Sequence, residues 1–328
     1  MKKHGIYIVH WNGRFGNRMH TYAYAAAYAK AFDIDLRLPS SWEGDRLFNL
    51  DYKLIEDELR PHLNSDSGLE DTLEYRAMAV DLYGDFSGKK FKYLNPDDPN
   101  ENWKEPTCNV FIDSVAAYHS SIFDRMKISD IHKLYEFSDE LKNSDLYKRM
   151  EDKQGTYDVA HLRRDDIANK EIQQDGYSLV SAESYQRAIE QAGIEGPIEW
   201  VTDDRTGKWG IQDSNTLGIT RPGGWSYPEG SEFLGDDIIF DWLHDFLKLY
   251  FARTIFRGNS SFSWWAACLA LGRDNPPKVF SPRLDKTVLY WKTNLEGDFE
   301  FEEGNHPHWI CVRGKIGECD DIIFMDQI

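Results

Sequence analysis

The feature that most constrains this chain is a unit that occurs in both halves: a short apolar run, a turn rich in glycine or small polar residues, then a helix-forming segment. In the first half Gly5 to His10 is a β-rich run, Trp11 to Asn17 is a turn, and Arg18 to Phe32 is rich in Ala and Tyr and free of Gly and Pro. This order is the βα half of a Rossmann-like unit. Ile34 to Leu38 reads as the next strand, stopped by Pro39. The second half alternates in the same way. Strands are expected at Tyr157 to Leu162, Ile198 to Thr202, Thr254 to Phe256 and Val279 to Phe280, before Pro282. Helices are expected at Ala182 to Ala192, ended by Gly193, at Asp241 to Phe251, and at Phe262 to Leu271, ended by Gly272. Such alternation predicts an α/β fold with mainly parallel sheets.

At roughly 150 residues per domain, 328 residues suggest two domains or one large one. A junction near Lys153-Gln154-Gly155 divides the chain into 1–154 and 155–328. Residues 40–105 are polar, charged and aromatic, and irregular structure with short helices is expected there, with a loop at Pro96 to Pro99. Val110 to Ile112 looks like a strand, and charges at helical spacing run through residues 129–153. In the acidic tail, Asp320 to Phe324 has the pattern of a late edge strand.

Composition removes several function classes. Lys and Arg number 38 against 56 Asp and Glu, a formal charge of −18. Nucleic acid and anionic membranes need clustered cations, so neither is an expected partner. No apolar run approaches the ~18 residues that span a bilayer, and Ile6 to Val9 is too short for a secretory core. Cys108, Cys268, Cys311 and Cys319 form no CxxC pair, which suits thiols in a reducing compartment. The expectation is a cytoplasmic globular protein. No His/Cys cluster has zinc spacing, and no GxSxG elbow supports a hydrolase.

Four segments are placed to carry chemistry. Gly13-Arg14-Phe15-Gly16-Asn17-Arg18 lies at a strand-to-helix turn, where glycines permit close approach and a helix start offers N–H groups to an anion or sugar. A turn alone is the plainer reading. His161-Leu162-Arg163-Arg164-Asp165-Asp166 follows a strand, at the edge where open α/β sheets bind ligands. Adjacent arginines on an extended chain point to opposite sides, so one would fork onto a phosphate while the other pairs with a carboxylate such as Asp166. An exposed ion-pair cluster is the competing reading. Gly258-Asn259-Ser260-Ser261-Phe262-Ser263-Trp264-Trp265 is a second strand-to-helix turn, either a simple N-cap with aromatic core behind it or a set of donors for phosphate oxygens. Asp203 and Asp204, after Thr202, would bind a nucleoside hydroxyl, bind a metal, or cap the next segment.

Taken together, these segments resemble the GDP-fucose-dependent fucosyltransferase superfamily. Gly13 to Met19 with Tyr22 looks like the Gly-Arg-Leu-Gly-Asn-Gln-Met opening of α-1,2-fucosyltransferases. His161-Leu162-Arg163-Arg164 with Asp166 is similar to the His-x-Arg-Arg-Gly-Asp motif shared by α-1,2 and α-1,6 enzymes. Asp245-Phe246-Leu247 and Asn259 to Ala267 resemble the last α-1,2 block. The blocks span Gly5 to Pro282 in family order.

The resemblance implies a GT-B fold, with two Rossmann-like domains facing across a cleft. It also implies inverting transfer of fucose from GDP-fucose to a glycan hydroxyl, α-1,2 to a galactoside, without metal or other cofactor. The expected partners are the nucleotide sugar and an oligosaccharide or glycolipid acceptor. It implies that residues 1–154 form the acceptor side and 155–328 the GDP-sugar side. By the resemblance, Arg164 holds the diphosphate beside Arg163, Asp245 faces the guanine, and Ser260 and Ser261 reach phosphate oxygens. His161 touches the nucleoside or orders the loop, and Arg14, Gly16, Asn17, Asp203 and Phe262 complete the donor set. Two departures stand out. Asp165 replaces the family's small glycine, so its carboxylate must turn away or pair with an arginine. Glu171 occupies the place of the α-1,6 base, which makes it the first candidate for general base and Asp166 the second. Alternatives are an α-1,6-type fucosyltransferase, a GT-B transferase with another nucleotide sugar, a non-catalytic binder, or a metal-dependent enzyme using Asp33 and Asp35 or Asp203 and Asp204. Trp42, Tyr83 and Trp103 are candidate acceptor contacts, with core packing the plainer role for each.

Overall fold

A computed structural model describes residues 4–8, 11, 14–39, 42–55, 85–86, 89–93, 103–112, 126–163, 179–202, 240, 242–282, 296–297 and 301–304. It divides into two compact units, which separate between Phe137 and Ser138.

The first unit runs β1 (Gly5–Ile8), α1 (Phe15–Phe32), β2 (Asp35–Leu38), α2 (Gly44–Leu47), β3 (Lys53–Leu54), β4 (Asp85–Phe86), β5 (Lys89–Tyr93), β6 (Asn109–Ile112) and α3 (Ile128–Leu134). Its sheet has the order β3-β2-β1-β6-β5-β4 and is parallel except where β4 pairs antiparallel with β5. Ile6 pairs with Leu36 on one side and Val110 on the other. All four β1 residues are buried, as a central parallel strand covered on both faces requires. Helix α1 is buried nearly all round, which is why it is built from Ala and Tyr rather than from an amphipathic stripe. Two of its tyrosines place their hydroxyls on backbone carbonyls: Tyr28 donates to the Lys104 carbonyl at 2.9 Å and Tyr22 to that of Asp51 at 3.3 Å.

Two expectations change here, and one alternative finds its residues engaged elsewhere. Helix α1 starts at Phe15, not Arg18, because the Phe15 ring packs against Trp42 and Phe48 and draws the first turn into the core. Gly16 and Asn17 are therefore helical. Strands β4 and β5 lie within the stretch expected to be irregular. Lys89-Lys90-Phe91-Lys92-Tyr93 is too rich in lysine to announce a strand, and its pairing with β6 is a tertiary event. Asp33 and Asp35, one possible metal pair, are otherwise engaged. Asp33 is the left-handed C-cap of α1, and the Asp35 carboxylate accepts from Lys53 at 2.8 Å and Arg37 at 3.3 Å. Those hydrogen bonds hold its pKa below the usual carboxylate range.

His20, inside α1, supplies a pH signature. Complete burial lowers its imidazole to about 3, so the folded protein excludes the proton that the unfolded chain accepts below its ordinary 6.5. Stability present above 6.5 is therefore lost as pH falls from 6.5 toward 3, by roughly 1.4 kcal/mol per pH unit. Urea unfolding midpoints across this window are expected to fall less steeply in His20→Gln than in the parent.

The second unit runs α4 (Asp139–Asn143), α5 (Asp145–Glu151), β7 (Asp158–Leu162), β8 (Leu179–Val180), α6 (Ala182–Gln191), β9 (Ile198–Thr202), α7 (Leu243–Phe251), β10 (Thr254–Phe256), α8 (Ser261–Ala270), β11 (Lys278–Pro282), β12 (Glu296–Gly297) and β13 (Phe301–Glu303). Its sheet order is β13-β11-β10-β7-β9, with β9, β7, β10 and β11 parallel and β13 antiparallel on β11. Strands β8 and β12 form a separate parallel pair. Serine N-caps start α4, α5, α6 and α8, each Oγ accepting a backbone N–H of the first turn. At the N-terminal end of the sheet, Arg253 grips the buried Asp158 carboxylate at 3.0 and 2.5 Å, joining β7 to β10. Burial pushes that carboxyl's pKa upward, but hydrogen bonds from Arg253 and Thr254 outweigh it and leave the pKa below the ordinary value. The edge strand at Asp320 to Phe324 lies outside the described residues, and the described strands of the acidic tail are β12 and β13. Among the described residues no helix is long and apolar enough to cross a membrane.

Candidate donor-binding site

In the second unit, β7 and β10 lie side by side and parallel, so their C-terminal ends open on the same edge. From β7 the chain passes into Arg163. From β10 it turns through Arg257, Gly258, Asn259 and Ser260 into α8. The two segments meet directly: Arg163 Nη1 donates to Ser260 Oγ at 3.1 Å. Ser260 is the N-cap of α8 and its Oγ also accepts from the Phe262 N–H at 3.3 Å. Ser263 Oγ donates back to the carbonyls of Ser260 and Gly258, at 3.3 and 3.4 Å, which closes the turn. A guanidinium is thus tied to the start of a ten-residue helix, whose aligned peptide dipoles favour negative charge at that end.

The turn fits because residue 258 is glycine. A Cβ there would lie 2.7 Å from the His161 carbonyl oxygen and 3.3 Å from both His161 Nδ1 and the Tyr185 hydroxyl. Tyr185, buried in α6, donates to that same carbonyl at 2.6 Å. The last turn of chain before Arg163 is thereby held from below by Tyr185 and from the side by Gly258. His161 is 3% exposed, and its ring lies 5.9 Å from that of Phe262. Phe262 meets Trp242 and Phe246 edge-on, which brings α7, and Asp245 in its first turn, beside the start of α8.

The structure therefore gathers His161, Arg163, Ser260, Ser261 and Phe262, with Asp245 on the adjoining helix. Ser260 and Ser261 are 2% and 9% exposed, so only a ligand that penetrates the turn reaches their hydroxyls. Arg14, Gly16 and Asn17 belong to the first unit, at the start of α1. Arg14 is its exposed N-cap residue, without a side-chain capping bond. Arg18, in the first turn of α1, forms an ion pair with Glu43 at 2.7 Å. Arg164, Asp166, Glu171 and Asp203 lie outside the described residues. Among the described residues no group of three or more His, Cys, Asp or Glu is placed to hold a metal.

Sequence reasoning named Gly258 within the turn but not its fit against β7, and it missed two further supports. Gly258 and Tyr185 brace the end of β7. Arg257, 1% exposed, donates through Nε to Ser281 Oγ at 2.8 Å, tying the β10 end to β11. Burial lowers its guanidinium to about 9, which leaves it charged at neutral pH. An arginine immediately before Gly-Asn-Ser was visible as a sequence signal. The Tyr185 contact had none, since an aromatic on a helix face is ordinarily just core. Cys268, fully buried on α8, has its thiol raised to about 12 by burial, which makes it inert.

No protein-family model matches the sequence, and no curated protein matches it. Solved structures do. NodZ alpha-1,6-fucosyltransferase soaked with GDP-fucose is 13% identical, with 92% of this chain and 99% of that chain aligned and a TM-score of 0.51. Fucosyltransferase NodZ from Bradyrhizobium, in its selenomethionine form, is 13% identical over 92% and 99% of the two chains, with a TM-score of 0.52. A mutant of Arabidopsis thaliana FUT1 in complex with GDP is 11% identical over 91% and 73%, with a TM-score of 0.51. The likeness is one of fold, and the chain has the two-sheet α/β architecture of these GT-B transferases.

Proposed function

We propose that the chain is an inverting, metal-independent glycosyltransferase that moves fucose from GDP-fucose to a glycan hydroxyl, most simply α-1,2 to a galactoside. The observation that carries this reading is the Arg163–Ser260 contact, a guanidinium joined to a serine-capped helix start at the C-terminal edge of a parallel sheet. Diphosphates are bound where such features converge. The solved structures of the same fold that hold GDP-fucose or GDP support the choice of nucleotide.

When the sugar–phosphate bond breaks, negative charge grows on the leaving GDP and positive charge on the fucose ring. Fixed cations and helix N–H groups stabilise the first without reorganising, which is the service a metal performs in other transferases. In this reading Arg164 takes the diphosphate, Arg163 positions the Ser260 turn, Ser261 and the α8 N-terminus add donors, and Asp245 faces the guanine. His161 orders the loop, and Asp203 and Phe262 border the nucleoside. Arg14, Gly16 and Asn17, at the start of α1, are the remaining donor candidates, and the first unit takes the acceptor. The acceptor hydroxyl loses its proton as the bond to C1 forms, to a carboxylate within hydrogen-bond reach. Glu171 is the first candidate and Asp166 the second. Glu171→Gln is expected to abolish the acidic limb of the pH–rate profile; a profile like the parent's removes Glu171 from that role.

A second reading, α-1,6 transfer, is favoured by the NodZ likeness and by Glu171 itself. One assay separates them: incubation with a panel of nucleotide sugars, galactosides and N-acetylglucosaminides, with the product linkage determined, in the presence and absence of EDTA. Fucosylated product from GDP-fucose, insensitive to EDTA, supports the proposal. Saturable GDP binding without turnover marks a non-catalytic binder, and turnover only of another nucleotide sugar replaces the donor.

A further inference from the structure

A second site lies in the first unit, at the C-terminal ends of the adjacent parallel strands β1 and β2. Trp11 follows the end of β1 and Trp42 the end of β2, and their rings stack at 4.9 Å with planes 23° apart. Tyr22 of α1 stacks on the Trp42 ring at 5.7 Å and meets Tyr52 edge-on at 6.5 Å. The Asp45 carboxylate belongs to the same cluster. Its Oδ2 accepts the Trp42 backbone N–H at 2.9 Å, and it also accepts from the Tyr52 hydroxyl. Trp42 turns down onto Gly44, where any Cβ would strike the indole at 2.3 Å.

Hydrogen-bond accounting makes this cluster unlike ordinary core. Trp11 Nε1, Trp42 Nε1 and Asp45 Oδ1 are all buried and have no hydrogen-bond partner among the described residues, and Trp42 is only 6% exposed. Leaving a buried polar atom unsatisfied costs on the order of 1–3 kcal/mol. Three in one cluster, two donors and one anionic acceptor, describe the complement they need. An anion is disfavoured by Asp45 and the neighbouring Glu43, and the Arg18 charge is already committed to Glu43. A cation would suit the rings and the carboxylate but has nothing to accept the indole N–H groups. A neutral polyol answers both demands, because each hydroxyl donates and accepts and its C–H faces pack on aromatic rings.

We propose that the Trp11–Trp42–Asp45 cluster is a binding site for one neutral hexose unit, with the indole N–H groups donating to sugar hydroxyls and Asp45 Oδ1 accepting from one. As the place where the acceptor glycan docks it rests on the transfer reaction above; as a sugar site it does not. Burial also raises the Asp45 carboxyl, as expected for an anion that lacks its full set of donors.

The test is a titration without any nucleotide. The intact protein, labelled with ¹⁵N at tryptophan, is titrated with methyl β-galactoside and lactose, with phosphate and tetramethylammonium as controls. The indole signals of Trp11 and Trp42 are assigned by Trp11→Phe and Trp42→Phe. The expected result is saturable movement of both signals by the neutral sugars in the millimolar range and none by the controls. Asp45→Asn is expected to weaken sugar binding at least tenfold while leaving GDP affinity within twofold. Unmoved indole signals in the parent protein overturn the proposal without reference to any variant, as does equal sugar affinity in a folded Asp45→Asn. Sugar binding in a protein that fails to turn over GDP-fucose keeps this site and removes only its acceptor role.

Discussion

Alanine in place of Arg164 is expected to lower turnover of GDP-fucose by ~10²–10³, about 3–4 kcal/mol of barrier, which is the usual cost of losing one well-placed donor to developing charge. The effect belongs in kcat, because the charge on the leaving diphosphate is greatest in the transition state. The melting temperature is expected to stay near the parent's. Arg163→Ala provides the contrast. Its guanidinium contacts Ser260 Oγ at 3.1 Å, so its removal loosens the turn that starts α8 and is expected to weaken GDP binding itself. Steady-state kinetics alongside GDP titration separate the two. Near-parent kcat in a folded Arg164→Ala protein would refute the diphosphate assignment.

Gly258→Ala is the second large effect, and its stability part needs no assumption about the nucleotide. The added methyl would sit 2.7 Å from the His161 carbonyl oxygen. That atom is backbone in a fully buried strand and is already held by Tyr185 at 2.6 Å, so the turn must move rather than the strand. Overpacking of this kind costs about 1–3 kcal/mol of stability. A shift of ~1 Å in a group that positions substrate costs on the order of 10² in rate. Both losses are expected, read by thermal melting and by kcat/KM. Gly196 is the control: a Cβ there meets nothing within 4 Å, and Gly196→Ala is expected to leave both quantities unchanged. Parent-like activity in Gly258→Ala would show that the fit of this turn against β7 is not what holds the site.

The strands and helices that carry the site were readable from their residues. Residues 158–162, 254–256 and 261–270 pair a buried, β-branched or apolar strand with a glycine-serine turn and a helix, and they were expected within one or two residues of where they lie. Each is decided by local preference: alternate blocks of strand and helix formers, with glycine or serine at the boundary. Elements without such preference escaped. Strand β5 carries three lysines, and β13 is an acidic edge of three residues, and both exist because a neighbouring strand supplies their hydrogen bonds.

Local chemistry in this chain sets which residues are strand, helix and turn, and it makes the arginine pair and the serine-capped helix candidate donors for an anion. Proximity is another matter. Arg163 and Ser260 are 97 positions apart, and their contact follows from β7 and β10 being laid side by side. The roles of Gly258, Tyr185 and Trp42 are likewise invisible in isolation, because each depends on which carbonyl, ring or carboxylate the fold brings against it. Backbone preference acts over a few residues, whereas burial and hydrogen-bond satisfaction are settled only when the sheets and helices pack.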